Sequence, residues 1–266
     1  MGSPANSVRL PRTGRIGMAL AAIPFLAVAA DPASAAGCNF EPQGEGRVTG
    51  ILDPRSFRLQ DGREVRLAGI EPAAQRTTAA RVLAEIIADR EISLRGEDDT
   101  PDRYGRQPAI AFLPSSLTSV QEELLSRGEA LVSSTVTEKE CASALMAAEA
   151  AARRARRGFW AESSAIKNTE SPGDILAGIG RFMLVEGKVL SVRQAGTTTY
   201  LNFGQNWTRD FAATISRRAL AVFEAAGILP KSLENRRIRV RGFVEAHGGP
   251  QIELLRVGQI EVLGGN

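Results

Sequence analysis

Residues 47–70 read RVTGILDPRSFRLQDGREVRLAGI, and the reading of this stretch decides the fold. Apolar and polar residues alternate from Arg47 to Leu52 and again from Ser56 to Leu59. Asp61-Gly62 then supplies a two-residue hairpin turn, and Glu64 to Ile70 resumes the alternation. Period-two alternation puts one face of each strand into a core and the other into water, so the stretch predicts a three-stranded β-meander. After it, Ala80, Val82, Leu83, Ile86 and Ile87 recur at helical spacing within Thr77 to Arg90. Strands are predicted at Glu91 to Leu94 and Pro108 to Phe112, flanking the polar loop Glu97 to Arg106. Helices are predicted at Val120 to Ser126 and Ala142 to Arg157, with Gly158 as the C′ residue.

Glu162 to Gly180, containing Ser163-Ser164, Ser171-Pro172-Gly173 and Gly178, reads as a linker with one short helical turn, which places the domain boundary at 165–180. Beyond it, strands are expected at Phe182 to Arg193, Thr198 to Phe203 and Asp210 to Ser216, followed by a helix at Arg217 to Ala226. Strands at Arg236 to Ala246 and Gln251 to Leu255 follow, with Ile260 to Leu263 extending the last. Three strands, a helix and two strands is the order of an OB-fold, a small Greek-key barrel. The opening meander fits the same barrel. The expected fold class is therefore α+β and mainly β: a first OB-fold barrel with helices at 44–164, then a second OB-fold-like barrel at 181–263.

Composition narrows the function. With 43% hydrophobic and 24% charged residues among 266, the chain is neither disordered nor a multi-span membrane protein. One histidine and two cysteines exclude a zinc site of four cysteines, one of two cysteines and two histidines, and a His-rich metal centre. A Ser-His-Asp enzyme would depend on His247, which sits in the turn signal Ala246-His247-Gly248-Gly249-Pro250.

Residues 1–35 read as an export signal. Arg9, Arg12 and Arg15 precede the apolar stretch Ile16 to Ala30, and Ala33-Ser34-Ala35 forms an A-x-A cleavage site. The stretch is short for a membrane span, so no integral membrane segment is expected after cleavage, and the mature protein is expected in the periplasm or outside the cell. An uncleaved anchor is one alternative, and lipidation of Cys38 after cleavage at Gly37 is a weaker one, because Ala35 stands where such sites usually carry an aliphatic residue. Two thiols in an oxidising compartment usually pair, which predicts a Cys38–Cys141 disulfide. Without residues 1–35 the net charge falls from +3 to +1, divided as −3 over residues 36–165 and +4 over 166–266. Any electrostatic attraction to nucleic acid is thereby assigned to the second part.

Three segments in this order carry a family likeness: Val65-Arg66-Leu67-Ala68-Gly69-Ile70-Glu71, Asp102-Arg103-Tyr104-Gly105-Arg106 and Gly158-Phe159-Trp160. Together they resemble the staphylococcal nuclease-like (thermonuclease) domain over about residues 44–164. The resemblance implies an OB-fold nuclease that hydrolyses DNA and RNA phosphodiesters with one calcium ion, two acidic ligands, a glutamate that activates water, and two arginines that clamp the phosphate. Metal and guanidinium groups stabilise charge on phosphoryl oxygens, and a carboxylate orients the nucleophile. By that resemblance Arg66 and Arg106 take the arginine positions, where planar forks suit bidentate phosphate contact. Pairing of either with Asp102 or Glu71 is the competing reading.

The carboxylates depart from the family pattern. Arg55 stands at the first metal-ligand position, Glu71 at the second, and the general-base position is Ala74, or Ala73 with a one-residue gap. Calcium wants six to eight oxygens, several of them anionic, and a guanidinium opposes its charge. The expectation is a degenerate site in which Arg55 and Glu71 form an ion pair, Arg55, Arg66 and Arg106 form an anion site, and no metal or other cofactor is held. The protein would bind single-stranded nucleic acid or another polyanion. The alternative is an active nuclease hydrolysing DNA or RNA with a divergent metal site that recruits Asp53, Asp98, Asp99 or Asp102, with calcium as the cofactor if that site functions. In the second barrel Arg237, Arg239 and Arg241 alternate with Ile238 and Val240, giving one basic strand face, and Tyr200, Phe203 and Trp207 are candidate stacking surfaces. The competing account is a soluble barrel exterior.

Overall fold

The computed structural model describes residues 1–2, 38, 40–73 and 76–264, so the export-signal reading of residues 1–35 and the Ala74 position lie outside the described residues. The predicted meander is present as strands β1 (Glu41–Asp53), β2 (Ser56–Leu59) and β3 (Glu64–Leu67). With β5 (Glu91–Gly96) and β6 (Gln107–Phe112) they close a barrel in the order β1-β2-β3-β6-β5. Only β3 and β6 pair in parallel. The alternation places Phe57, Leu59, Val65, Leu67, Ile92, Leu94 and Ile110 inside. Leu83 and Ile87 of helix α1 (Arg76–Ile87) join them, and each such burial contributes about 1.5–3 kcal/mol. Helix α2 (Val120–Arg127) starts at a capping box between Ser119 and Glu122 and stops at Gly128 in the left-handed region.

The third predicted strand breaks at Gly69, whose φ of +80° turns the chain out of the barrel. A Cβ there would lie 2.7 Å from Val136 and 2.8 Å from Leu145, so the position admits only glycine without rearrangement. Past this corner β4 (Ile70–Pro72) pairs instead with β7 (Ala130–Val132). Helix α3 (Lys139–Arg154) ends three residues short of its expected end, and Gly158 opens a 3-10 turn rather than capping it. The Cys38–Cys141 disulfide joins the chain just ahead of β1 to the first turn of α3.

The segment expected to be a linker holds strand β8 (Ile166–Asn168) and helix α4 (Pro172–Leu176). Its strand adds in parallel to β9 (Phe182–Lys188). The single strand expected at Phe182 to Arg193 divides into β9 and β10 (Ser191–Ala195). Strands β11 (Thr198–Asn202) and β12 (Ala212–Ser216), helix α5 (Arg217–Ala225), and strands β13 (Arg237–His247) and β14 (Gly249–Glu253) follow. The sheet runs β10-β11-β12-β14-β13-β9-β8. If β9 and β10 are taken as two halves of one bent strand, its path has the strand order of the closed barrel. Strand β15 (Ile260–Val262) does not extend β14, as expected, but pairs with β13. Leu201, Ile215, Phe223, Ile238, Val240, Val244 and Ile252 form the second core.

The described residues from Cys38 onward form one unit, and the two cores meet through Leu131, Ala152, Trp160, Ala165 and Leu184. At this seam lies Arg241 of β13, only 2% exposed. Its Nη1 and Nη2 donate to the carboxylate of Glu149 on α3 at 2.9 and 3.0 Å, and Nη1 also donates to the Val132 carbonyl at 3.1 Å. Glu149 Oε2 accepts from the Val132 N–H at 2.7 Å as well. The basic face expected on β13 is therefore buried at Arg241, largely covered at Arg239 and exposed only at Arg237. Arg239 pairs with both Glu186 and Glu261, and Arg237 with Glu186. Strand alternation put the three arginines on one face, but that face is met by acids of β9, β15 and α3. Among the described residues no helix is long and apolar enough to cross a membrane.

Candidate functional site

Four short segments bring six charged side chains together at one end of the first barrel. Asp53-Pro54-Arg55-Ser56 is the β1–β2 turn, in which the Arg55 N–H donates to Asp53 Oδ1 at 2.9 Å. The Arg55 carbonyl accepts from the Leu67 N–H at 2.8 Å, tying the turn to β3. Arg66 projects from β3, and the Gly69 corner delivers Glu71 on β4. Arg55 Nη1 forms an ion pair with Glu71 Oε1 and donates to the Ile70 carbonyl at 3.0 Å. Arg66 reaches Glu71 at 3.8 Å and Asp102 at 3.6 Å.

The loop Asp102-Arg103-Tyr104-Gly105-Arg106 is folded around its own aspartate. Asp102 Oδ1 accepts the N–H groups of Tyr104 and Arg106 at 2.9 and 3.1 Å, while Oδ2 accepts Arg106 Nε and Nη2 at 3.1 and 2.8 Å. Arg106 Nη1 also lies 3.9 Å from Asp53. Tyr104 is 63% exposed, and the guanidinium groups of Arg103 and Arg106 stand 4.8 and 5.0 Å from its ring centroid. This leaves an aromatic face open beside cations.

The electrostatics follow from this packing. Burial pushes the Glu71 carboxyl above its ordinary 4.5, against the pull of Arg55 and Arg66 and with the help of Asp53. Burial also lowers Arg66, and repulsion from Arg55 and Arg106 lowers it further, while Glu71 and Asp102 offset part of this. At Asp102 burial raises the pKa, but the hydrogen bonds from Arg106 and Tyr104 outweigh it and bring the carboxyl down to about 2. The three guanidinium groups thus share one site with three carboxylates, and each carboxylate is engaged by at least one of them. Among the described residues no three Asp, Glu, His or Cys side chains converge on a point where they would hold a metal ion.

Of the residues expected here, the structure gathers Arg55, Arg66, Arg106, Glu71, Asp53 and Asp102. Asp98 and Asp99 are exposed on the preceding loop, where Asp98 Oδ1 accepts the Thr100 N–H at 2.8 Å. Ala73 follows β4 directly. Of the nucleic-acid candidates in the second sheet, Arg237, Arg239 and Arg241 are committed to acids, whereas Tyr200 and Trp207 line a groove on another face. Sequence reasoning missed the exposed Tyr104, although it lies between two arginines in the loop that was singled out.

No curated protein matches the chain. A family model described as staphylococcal nuclease homologue matches residues 64–162, a span that begins at β3, contains Arg66, Glu71, Asp102 and Arg106, and leaves Arg55 just outside. Residues 64–162 are thus a staphylococcal nuclease homologue domain within the chain.

Proposed function

We propose that this chain is an exported protein of nuclease ancestry that engages nucleic acid or a similar polyanion without cleaving it. The observation that carries the reading is the ion pair between Arg55 and Glu71. A calcium ion needs six to eight oxygen ligands, several anionic. Here Asp53, Glu71 and Asp102 are each held by a guanidinium group, and Arg55 adds a positive charge where a ligand is needed. The residues present do not fit calcium. Water activation lacks its carboxylate too, since the base position is alanine whether it falls at Ala74 or at Ala73, and a general base supplies about 10²–10⁴ in rate.

Phosphate recognition keeps some of its parts. Arg66 and Arg106 remain partly accessible, and Tyr104 offers a stacking face to a base. Binding is weak and salt-sensitive, because a phosphate must compete with Asp102 and Glu71 for the same donors. Export is supported by the character of residues 1–35 and by the Cys38–Cys141 disulfide.

The test is to incubate the purified chain with a labelled single-stranded DNA at low salt, in EDTA or in millimolar calcium. The expected result is a mobility shift in both, with the DNA intact, and loss of the shift in Arg66→Ala/Arg106→Ala. Calcium-dependent cleavage, or no binding at low salt, would overturn the reading.

A further inference from the structure

The second sheet carries a groove of about 1070 Å³ on its outer face, beyond the roughly 300–1,000 Å³ of ordinary small-molecule sites. Its floor is set by register. Arg193, Tyr200, Thr214 and Glu253 stand opposite one another across β10, β11, β12 and β14, and all four line the groove. Three strand spacings of about 4.8 Å make this row roughly 14 Å long, enough for an extended ligand of several rings. In the next row Asn202, Gln251 and Glu245 add two amides and a second carboxylate.

One wall is an aromatic on a fastened loop. Trp207 is 75% exposed, yet the loop that carries it is tied: Asp210 Oδ2 accepts the Asn206 N–H at 2.9 Å and Asn206 Oδ1 accepts the Thr208 N–H at 3.1 Å. Gly204 makes room for the Asp210 side chain, and a Cβ on Gly248 in the β13–β14 turn would touch the Trp207 ring at 3.6 Å. A large apolar ring is thus held in water by a braced loop, over a floor containing Tyr200.

The chemistry of the lining selects the ligand. Glu245 and Glu253 outnumber Arg193, so the groove repels a polyanion, which removes Tyr200 and Trp207 from the nucleic-acid reading. Carboxylates only accept, a guanidinium only donates, and the amides of Asn202 and Gln251 do both. An array of hydroxyl groups satisfies all of them, because each hydroxyl donates and accepts, and the apolar face of a sugar ring stacks on an indole or phenol ring. Among the described residues no hydrogen bond or ion pair occupies the side chains of Arg193, Tyr200 or Glu253, which leaves them available. We propose that this groove binds a neutral oligosaccharide, with Trp207 and Tyr200 stacking on sugar rings and Asn202, Gln251 and Glu253 holding hydroxyl groups. This site is separate from the nuclease-derived site and does not depend on the reading given for it.

Tryptophan fluorescence of the full chain tests it, because Trp207 is exposed and the second tryptophan, Trp160, is buried. The probes are tetramers of β-1,4-linked N-acetylglucosamine, cellotetraose and maltotetraose, with a short oligodeoxythymidine and a lysine-rich peptide as comparators. The expected result is a saturable emission change with at least one sugar, altered less than about twofold by added salt, since no counterions are released. Trp207→Ala and Gln251→Ala, both surface changes checked by an unaltered melting temperature, each weaken sugar binding roughly tenfold when followed by calorimetry. Silence with all three sugars, or a response to the oligonucleotide or peptide alone, overturns the proposal. So does sugar binding that survives both substitutions.

Discussion

Replacing Arg241 by methionine removes the charge at the seam of the two cores while keeping most of the side-chain volume. Glu149, 1% exposed, then keeps a single donor, the Val132 N–H at 2.7 Å, for a carboxylate that had three. Breaking one partner of a buried pair costs about 3–5 kcal/mol, because the remaining charge is left uncompensated in a low-dielectric setting. For a unit of this size each kcal/mol moves the melting temperature by about 2–4 °C, so Arg241→Met should melt at least about 6 °C lower. Arg241→Met/Glu149→Leu removes both charges and leaves the Val132 N–H without this acceptor, at about 1–3 kcal/mol. The double variant should therefore be more stable than either single variant, giving a large coupling energy in a double-mutant cycle. Thermal and urea unfolding measure both. A melting point for Arg241→Met within about 2 °C of the parent would refute the reasoning, as would additive single and double variants.

The first barrel gives three further outcomes. Reducing the Cys38–Cys141 bond frees a loop spanning 103 positions, and in the chain-entropy model this costs about 4–5 kcal/mol, to be read as a lower urea midpoint in reductant. Asp102, held at about 2 against an ordinary 3.8, contributes stability that is complete above pH 4 and is lost as pH falls from about 4 to 2. Asp102→Asn should flatten that acid limb, and parallel curves for variant and parent would contradict it. Glu71 works with the opposite sign: its raised carboxyl favours the folded state below its ordinary 4.5, and that contribution fades as pH rises through the folded value.

The meander was legible because Phe57 and Leu59, then Val65 and Leu67, keep strict alternation and fill the barrel. The start of β1 was not. Glu41-Pro42-Gln43-Gly44-Glu45-Gly46 has the composition of a turn, yet it pairs with β5 through an irregularity at Pro42 to Gly44, with Gly44 at φ +106°. The corner at Gly69 was hidden for another reason, since Ala68 and Ile70 carry the apolar run past it and only the crowding of Val136 and Leu145 reveals why a glycine stands there. The candidate site was legible as residue types, but its charge balance depends on Glu71 leaving the barrel. At Arg241 alternation predicted the face of the strand and nothing about what meets it. The available signal was Glu149, an acid isolated among Ala147, Ala148, Ala150 and Ala151 on a helix face that has to be buried.

We propose that the Arg55–Glu71 ion pair keeps a metal ion out of this site. It is tested most directly by unfolding the natural protein thermally in EDTA and in millimolar calcium, with DNA cleavage followed in the same samples. A ligand raises the melting temperature only if it binds the folded state. Coincident unfolding curves and intact DNA are the expected result. An upward shift accompanied by calcium-dependent cleavage would contradict it.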